Sequence, residues 1–227
     1  MNAVCSSTLV ALLVTGCTTS SQTHVVERLP QAPDDSLTYF DPALLKTTRT
    51  RQTGDEAVEI SELSYTEKLW YPKHWIVAEE PSYWQLSVDQ NFSEEQFVRL
   101  TILPTFSAPQ IYTIRILDDG SGVWTFKQTN GKGGYGAGHR YSSSQKRSSE
   151  NENSLFMRRL RRIGAFDQPY GCGPNPNTVM LDGTKIVFEF SQYGRYGFTR
   201  CGLKSEEFSA MLKSVFTDAF EDLGSLG

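Results

Sequence analysis

The groups in this chain whose spacing could do chemistry are a few thiols, imidazoles, carboxylates and guanidiniums. Cysteines stand at 5, 17, 172 and 201. Zinc takes four ligands, and no His or Cys lies at ligand spacing from Cys172 or Cys201. There is no Cys-x-x-Cys for redox work. His24, His74 and His139 are scattered, and His74 sits in the aromatic stretch Trp70-Tyr71-Pro72-Lys73-His74-Trp75. Such a histidine is packed or capped more readily than catalytic. No Gly-x-Ser-x-Gly elbow and no His-Glu-x-x-His is present, so hydrolytic sites have no support. The chain therefore reads as a non-enzyme without cofactor or metal.

Three further constellations carry charge or recognition. The run Gly131-Lys132-Gly133-Gly134-Tyr135-Gly136-Ala137-Gly138 suggests a phosphate cradle. A cradle needs a helix directly after it, so that the first amides face the anion. Here His139-Arg140-Tyr141-Ser142 and then a Ser/Lys/Arg stretch follow. A hairpin tip or partner-binding loop fits better, with Tyr135, His139, Arg140 and Tyr141 as its candidate recognition surface. Arg158, Arg159, Arg161 and Arg162 form a basic cluster on a helix, which reads as a solvated face or, alternatively, as a contact for anionic lipid or an acidic partner. Glu189 and Arg200 fall diagonally across a hairpin if the turn is Tyr193-Gly194, within reach of an ion pair. A hydrolase with an unrecognised site would need Asp182, Glu189, His139 and Arg200 in one cleft.

At the N-terminus, Leu9 to Val14 is apolar and lies in an uncharged run. It is too short to span a bilayer, which needs about 20 residues, and has the length of a signal-peptide core. Val14-Thr15-Gly16-Cys17 follows and resembles the bacterial lipobox. The resemblance implies removal of residues 1–16 and acylation of Cys17, with Thr18 directing the protein to the outer membrane, facing the periplasm. Several acyl chains give stable anchoring, at about 0.8 kcal/mol per buried CH2. One departure is the absence of Lys or Arg before the apolar core. An exported chain meets an oxidising compartment, so Cys172 and Cys201 are expected to form a disulfide.

The positions of these groups depend on the elements that carry them. The 227 residues suit one domain with a tail, and 38% hydrophobic with 12% aromatic content excludes wholesale disorder. A net charge of −4 argues against a nucleic-acid binder. Residues 17–57 read as a tether in which Asp41-Pro42 starts one short helix, and 58–227 as the folded domain. Residues 83–89 alternate as a strand. Ser93-Glu94-Glu95-Gln96 reads as a capping box opening one or two helical turns before Pro104. Ile111–Leu117 and Val123–Lys127 form a hairpin, and the polar stretch 142–153 an exposed excursion. Asn153 and Ser154 cap a helix to 163 that Gly164 ends. Lys185–Phe190 and Tyr196–Cys201 form a second hairpin. Ser205 caps a helix with Phe208, Met211, Leu212, Val215, Phe216 and Ala219 on one face. The sum is an α+β domain: a single antiparallel sheet packed by at least two helices, including an amphipathic C-terminal one.

Gly133-Gly134-Tyr135-x-x-Gly138, Leu181-Asp182-Gly183 with Glu189, Gly194-Arg195-Tyr196 and Arg200 together resemble an uncharacterised bacterial protein family. Ile186 stands where that pattern has Trp, and Cys201-Gly202-Leu203 replaces Trp-Ser-Pro. The resemblance supports the hairpin-then-helix order and implies no activity. The expected protein is a lipid-anchored binding or envelope-accessory module with a periplasmic protein partner. The alternative is an inhibitor or immunity lipoprotein whose loops 131–153 and 167–178 plug an active site.

Overall fold

A computed structural model describes residues 36–53, 56–61, 63–168, 170–171, 183–202 and 207–224. The elements in chain order are α1 (Pro42–Leu45), β1 (Thr47–Thr53), β2 (Glu56–Ser61), α2 (Tyr65–Val77), α3 (Tyr83–Val88), β3 (Gln96–Pro104), β4 (Gln110–Ile116), β5 (Gly122–Thr129), β6 (Tyr141–Ser148), α4 (Glu150–Arg162), β7 (Thr184–Gln192), β8 (Arg195–Gly202), α5 (Glu207–Ala219) and α6 (Glu221–Gly224). Strands β3 to β8 make one antiparallel sheet in the order β6-β5-β4-β3-β7-β8, while β1 and β2 pair separately. This is the expected α+β fold.

Both hairpins form. In the second, Val187 pairs with Arg200 and Ser191 with Tyr196, the register that a two-residue turn requires. Tyr193 and Gly194 both have positive φ, at 50° and 72°, which matches the right-handed twist of the flanking strands. Gly194 takes that conformation freely; Tyr193 does so as the exposed corner of the turn.

The sheet is covered on both faces. Side chains alternate along each strand. Val98, Leu100, Ile102, Ile114, Trp124, Ile186 and Phe188 face α4 and α5, where Phe156, Leu160, Leu212 and Phe216 complete an apolar core. Leu103, Ile111, Val187 and Phe198 face the opposite way, toward α2 and the segment before β1.

That second layer corrects several expectations. Residues 93–104 do not open a helix: β3 starts at Gln96, and Phe97 to Leu103 are all buried. A central strand covered on both sides shows no alternation, so its period was hidden. Residues 83–88 are helical, with the Ser82 hydroxyl accepting from the Gln85 amide, so a local cap outweighed the alternating pattern. The folded unit begins earlier than 58, since Tyr39, Phe40 and Leu44 pack against Trp75 in the second core. The short helix at Asp41-Pro42 is present, and Asp41 accepts from the Ala43 amide at 2.8 Å. Polar residues 141–148 form β6, an edge strand whose polarity suits its one-sided pairing. Helix α4 starts at 150, capped by Ser149 with Glu152. Asn153 is instead buried: its Oδ1 accepts from Trp124 Nε1 and Ser148 Oγ, and its Nδ2 donates to Gly120 O. Gly164 ends α4 in a left-handed conformation, as expected. Ser205 lies outside the described residues.

The second layer is held by a buried ionic cluster. Arg99, in the middle of β3, is fully buried. Its guanidinium carbon lies 4.2 Å from the ring centroids of both Trp75 and Tyr83. Its Nε and Nη2 donate to Glu189 Oε2 at 2.9 and 2.7 Å, and Nη1 donates to Pro81 O. Glu80 Oε2 is 3.7 Å away, and Glu80 Oε1 pairs with Lys127 Nζ at 2.8 Å. Two cations and two carboxylates thus neutralise one another. Removing the cation alone leaves two buried carboxylates. Arg99→Ala is therefore expected to destabilise the domain by about 3–5 kcal/mol, the usual cost of orphaning a buried charge. The Arg99→Met, Glu189→Met double variant should lose less than the sum of the two singles. Urea denaturation of the wild type, Arg99→Ala, the two Met singles and the double variant checks both statements.

Candidate partner-binding surface

The glycine-rich run connects β5 to β6 and is pinned rather than loose. Lys132 and Gly136 exchange backbone bonds at 2.8 and 2.9 Å, closing a tight turn. The amides of Gly133 and Gly134 donate to the carbonyls of Ser107 and Thr105 at 3.0 and 3.1 Å. The loop is thereby fastened to the β3–β4 connection. A Cβ on Gly133 would lie 2.5 Å from Pro104 O, so only glycine permits this approach.

That docking brings Tyr135 against Phe106. Their ring centroids are 5.8 Å apart, and the residues remain 70% and 61% exposed. Tyr135 was expected at a recognition surface; Phe106 was not. Its signal was present, since a lone large aromatic in Thr105-Phe106-Ser107-Ala108-Pro109 cannot be covered by its own turn.

The other expected surface residues divide. His139 and Arg140 are exposed, and their amides donate to Asn130 Oδ1 at 3.0 and 3.1 Å. Tyr141 is half-buried and engaged within the fold: its hydroxyl donates to Glu79 Oε2 at 2.9 Å, and Lys127 Nζ lies 5.2 Å from its ring centroid. Burial raises its phenol pKa, and Glu79 adds to the shift. Tyr141 thus serves the fold and leaves the surface to Phe106, Tyr135, His139 and Arg140.

His74 is buried on α2 and packs edge-on against Trp70, 6.0 Å between centroids. Neither ring nitrogen makes a well-formed hydrogen bond. Burial, the larger effect, lowers its pKa to about 4, and the Gly133 backbone pulls weakly the other way. His74 is thus a packed neutral residue next to the pinned glycine loop, as its aromatic neighbours suggested.

The residues considered for a hydrolytic site do not converge. Glu189 is consumed by Arg99 and by the Tyr196 hydroxyl at 2.9 Å. Burial raises its pKa despite Arg99. Arg200 does not reach Glu189; it donates to Glu67 Oε2 at 2.6 Å, which Ser64 also caps. The hairpin register was right, but residues on a second element offered both groups closer partners. His139 precedes β6 at one sheet edge, whereas Arg200 is on β8 at the other. Asp182 lies outside the described residues. Arg158, Arg159, Arg161 and Arg162 are all exposed on α4. Among the described residues no group of three His, Cys, Asp or Glu could hold a metal. Cys201 is buried at the end of β8, and Gly171 pairs with Arg200 across an isolated parallel bridge. Cys172 itself, like Cys5 and Cys17, lies outside the described residues.

No protein-family model and no curated protein sequence matches the chain.

His74 generates a pH dependence. Its folded pKa is depressed to about 4 from an ordinary 6.5. Above pH 6.5 neither state is protonated there, and its contribution is complete. Between 6.5 and 4 the unfolded chain binds a proton that the folded chain refuses, so stability falls with pH. The loss is on the order of 3 kcal/mol once pH is below 4. Urea midpoints at pH 7.5 and 4.5 measure it, and His74→Leu should flatten that part of the profile.

Proposed function

We propose that this chain is a lipid-anchored envelope protein whose domain is a non-enzymatic binding module for a periplasmic protein. The observation that carries the reading is the Phe106–Tyr135 pair: two large exposed aromatics, in contact, on loops that backbone hydrogen bonds and glycine packing hold in place. Pre-organised aromatics bury much area at little entropic cost, which is why they dominate interface energetics. His139 and Arg140 would contribute a polar, cationic rim. The anchor rests on Val14 to Cys17, with acylation at Cys17 and an outer-membrane destination following from Thr18.

A photo-crosslinking residue at Tyr135, introduced in the full-length lipoprotein in cells, tests the interface. A discrete adduct is expected, and Phe106→Ala in the same protein should weaken it several-fold. The absence of an adduct, or indifference to Phe106, removes the reading. If the captured partner is a lytic enzyme that the complex silences, the module is an inhibitor or immunity lipoprotein rather than an accessory one.

The Cys172–Cys201 disulfide belongs to the same proposal. It is supported by the Gly171–Arg200 bridge, which sets the residues immediately preceding the two cysteines side by side. Intact-mass spectrometry of envelope-purified protein is expected to show a chain starting at acylated Cys17, lacking one hydrogen from each of the two remaining thiols. An intact N-terminus or two alkylatable thiols would count against the respective part.

A further inference from the structure

A second site lies at the far end of the sheet. The residues Gln96, at the start of β3, and Thr105, just beyond its end, are separated by about 30 Å of extended chain. The Phe106–Tyr135 pair is at the Thr105 end. At the Gln96 end, α4 and the turns β4–β5 and β7–β8 enclose a cleft of about 500 Å3, within the range of small-ligand sites.

The charges in this cleft are sorted. Glu150, Arg158 and Arg161 line it from α4. Glu150 lies two turns before Arg158 and about three before Arg161, so the stripe runs acidic to basic over about 12–16 Å at 1.5 Å per residue. On the other walls, Asp118 lines it from the β4–β5 turn and Glu94 from the loop before β3. Tyr193 lines it from the β7–β8 turn and is 66% exposed.

These charges are not spent on one another. Arg115, nearby, is fully paired with Glu95. None of Arg158, Arg161, Glu94, Asp118 or Glu150 makes an ion pair among the described residues. Helix electrostatics accounts for acids near the start of α4 and arginines near its end. It does not account for Asp118 and Glu94, which other segments supply.

One side-chain amide that lines the cleft, and a second beside it, are incompletely paired. Gln96 Nε2 donates to the Tyr193 hydroxyl at 3.0 Å, but its Oε1 is shielded from solvent with no partner. Gln192, its directly opposed neighbour on β7, has an equally orphaned Nε2. One free acceptor and one free donor thus stand side by side on the face that α4 covers. Such groups are costly to leave unmade.

We propose that this cleft binds a short peptide with both termini free. Its ammonium would lie among Glu150, Asp118 and Glu94, and its carboxylate at Arg158 and Arg161. The backbone between them would run over Gln96, which lines the cleft beside Gln192. The span of about 12–16 Å corresponds to roughly four extended residues at 3.3–3.6 Å each. The inference is independent of the aromatic surface, which a variant in this cleft leaves intact.

The probe is tetra-alanine with free termini, titrated at millimolar concentration into the folded domain. NMR shifts of the Gln96 and Gln192 side-chain amides are the readout. Binding is expected, with a loss of about tenfold or more when the carboxyl is amidated or the amine acetylated, equivalent to at least 1.4 kcal/mol. The Arg158→Gln, Arg161→Gln variant, altered only at exposed positions, should lose the same factor for the free peptide and none for the amidated one. Free alanine should bind far more weakly than the tetrapeptide. No shift at those amides, equal binding of the capped peptides, or equal binding of alanine would each overturn the proposal.

Discussion

A charge in the middle of the central strand governs how this domain is put together. Arg99 cannot be solvated where it stands, so every neighbouring element has to supply something for it. β7 supplies Glu189, the α2–α3 connection supplies Glu80 and Pro81 O, and the helices supply the Trp75 and Tyr83 faces. Burial is the largest effect and opposes the guanidinium charge, but Glu189, Tyr83 and Glu80 together outweigh it, and the net effect holds the proton more tightly. Glu80 passes the constraint to Lys127 on β5, and Lys127 also donates to Ala78 O at 2.7 Å. A shift of β3 by one residue would turn Arg99 into the apolar core under α4 and α5. The cluster therefore selects one register and one placement of the second layer.

The two faces of the sheet are consequently built on different principles. Under α4 and α5, Trp124, Phe156, Phe216 and Phe220 interlock in stacked and edge-on pairs around aliphatic residues. That side derives its stability from area removed from water. Under α2 and α3, rings surround charges, and Tyr39, Trp75 and Tyr196 each use a polar tip to satisfy the cluster or its neighbours. Polar satisfaction of this kind tolerates little displacement. Both ends of β3 are thus firmly based, and each carries loops that face solvent: Phe106 and Tyr135 at one, the sorted charges of α4 at the other. Rigid scaffolds that present loops in this way are suited to recognition.

Local signals were legible wherever a single element or one hairpin decided the outcome. The Tyr193-Gly194 turn set the register of β7 and β8, and the periodicity of Phe208 to Ala219 marked α5, because both depend on residues close in sequence. Legibility failed at β3 and α3. The run Phe97–Leu103 is buried on both faces and so carries no period, and its single arginine was the one clue that something polar faced it. At the candidate surface, Tyr135 could be picked out as an aromatic among glycines, whereas its partner Phe106 is 29 residues away and meets it only because Gly133 closes on Pro104.

The amino-acid sequence alone determined the class of fold, both hairpins and the amphipathic last helix. Those features follow from spacing, turn chemistry and periodicity, which act over a few residues. Only the tertiary structure decided the partners of each charge: Glu189 went to Arg99 and Arg200 to Glu67. A buried charge takes the nearest complementary group in space, and that group came from a strand or helix whose position the whole fold had first to establish.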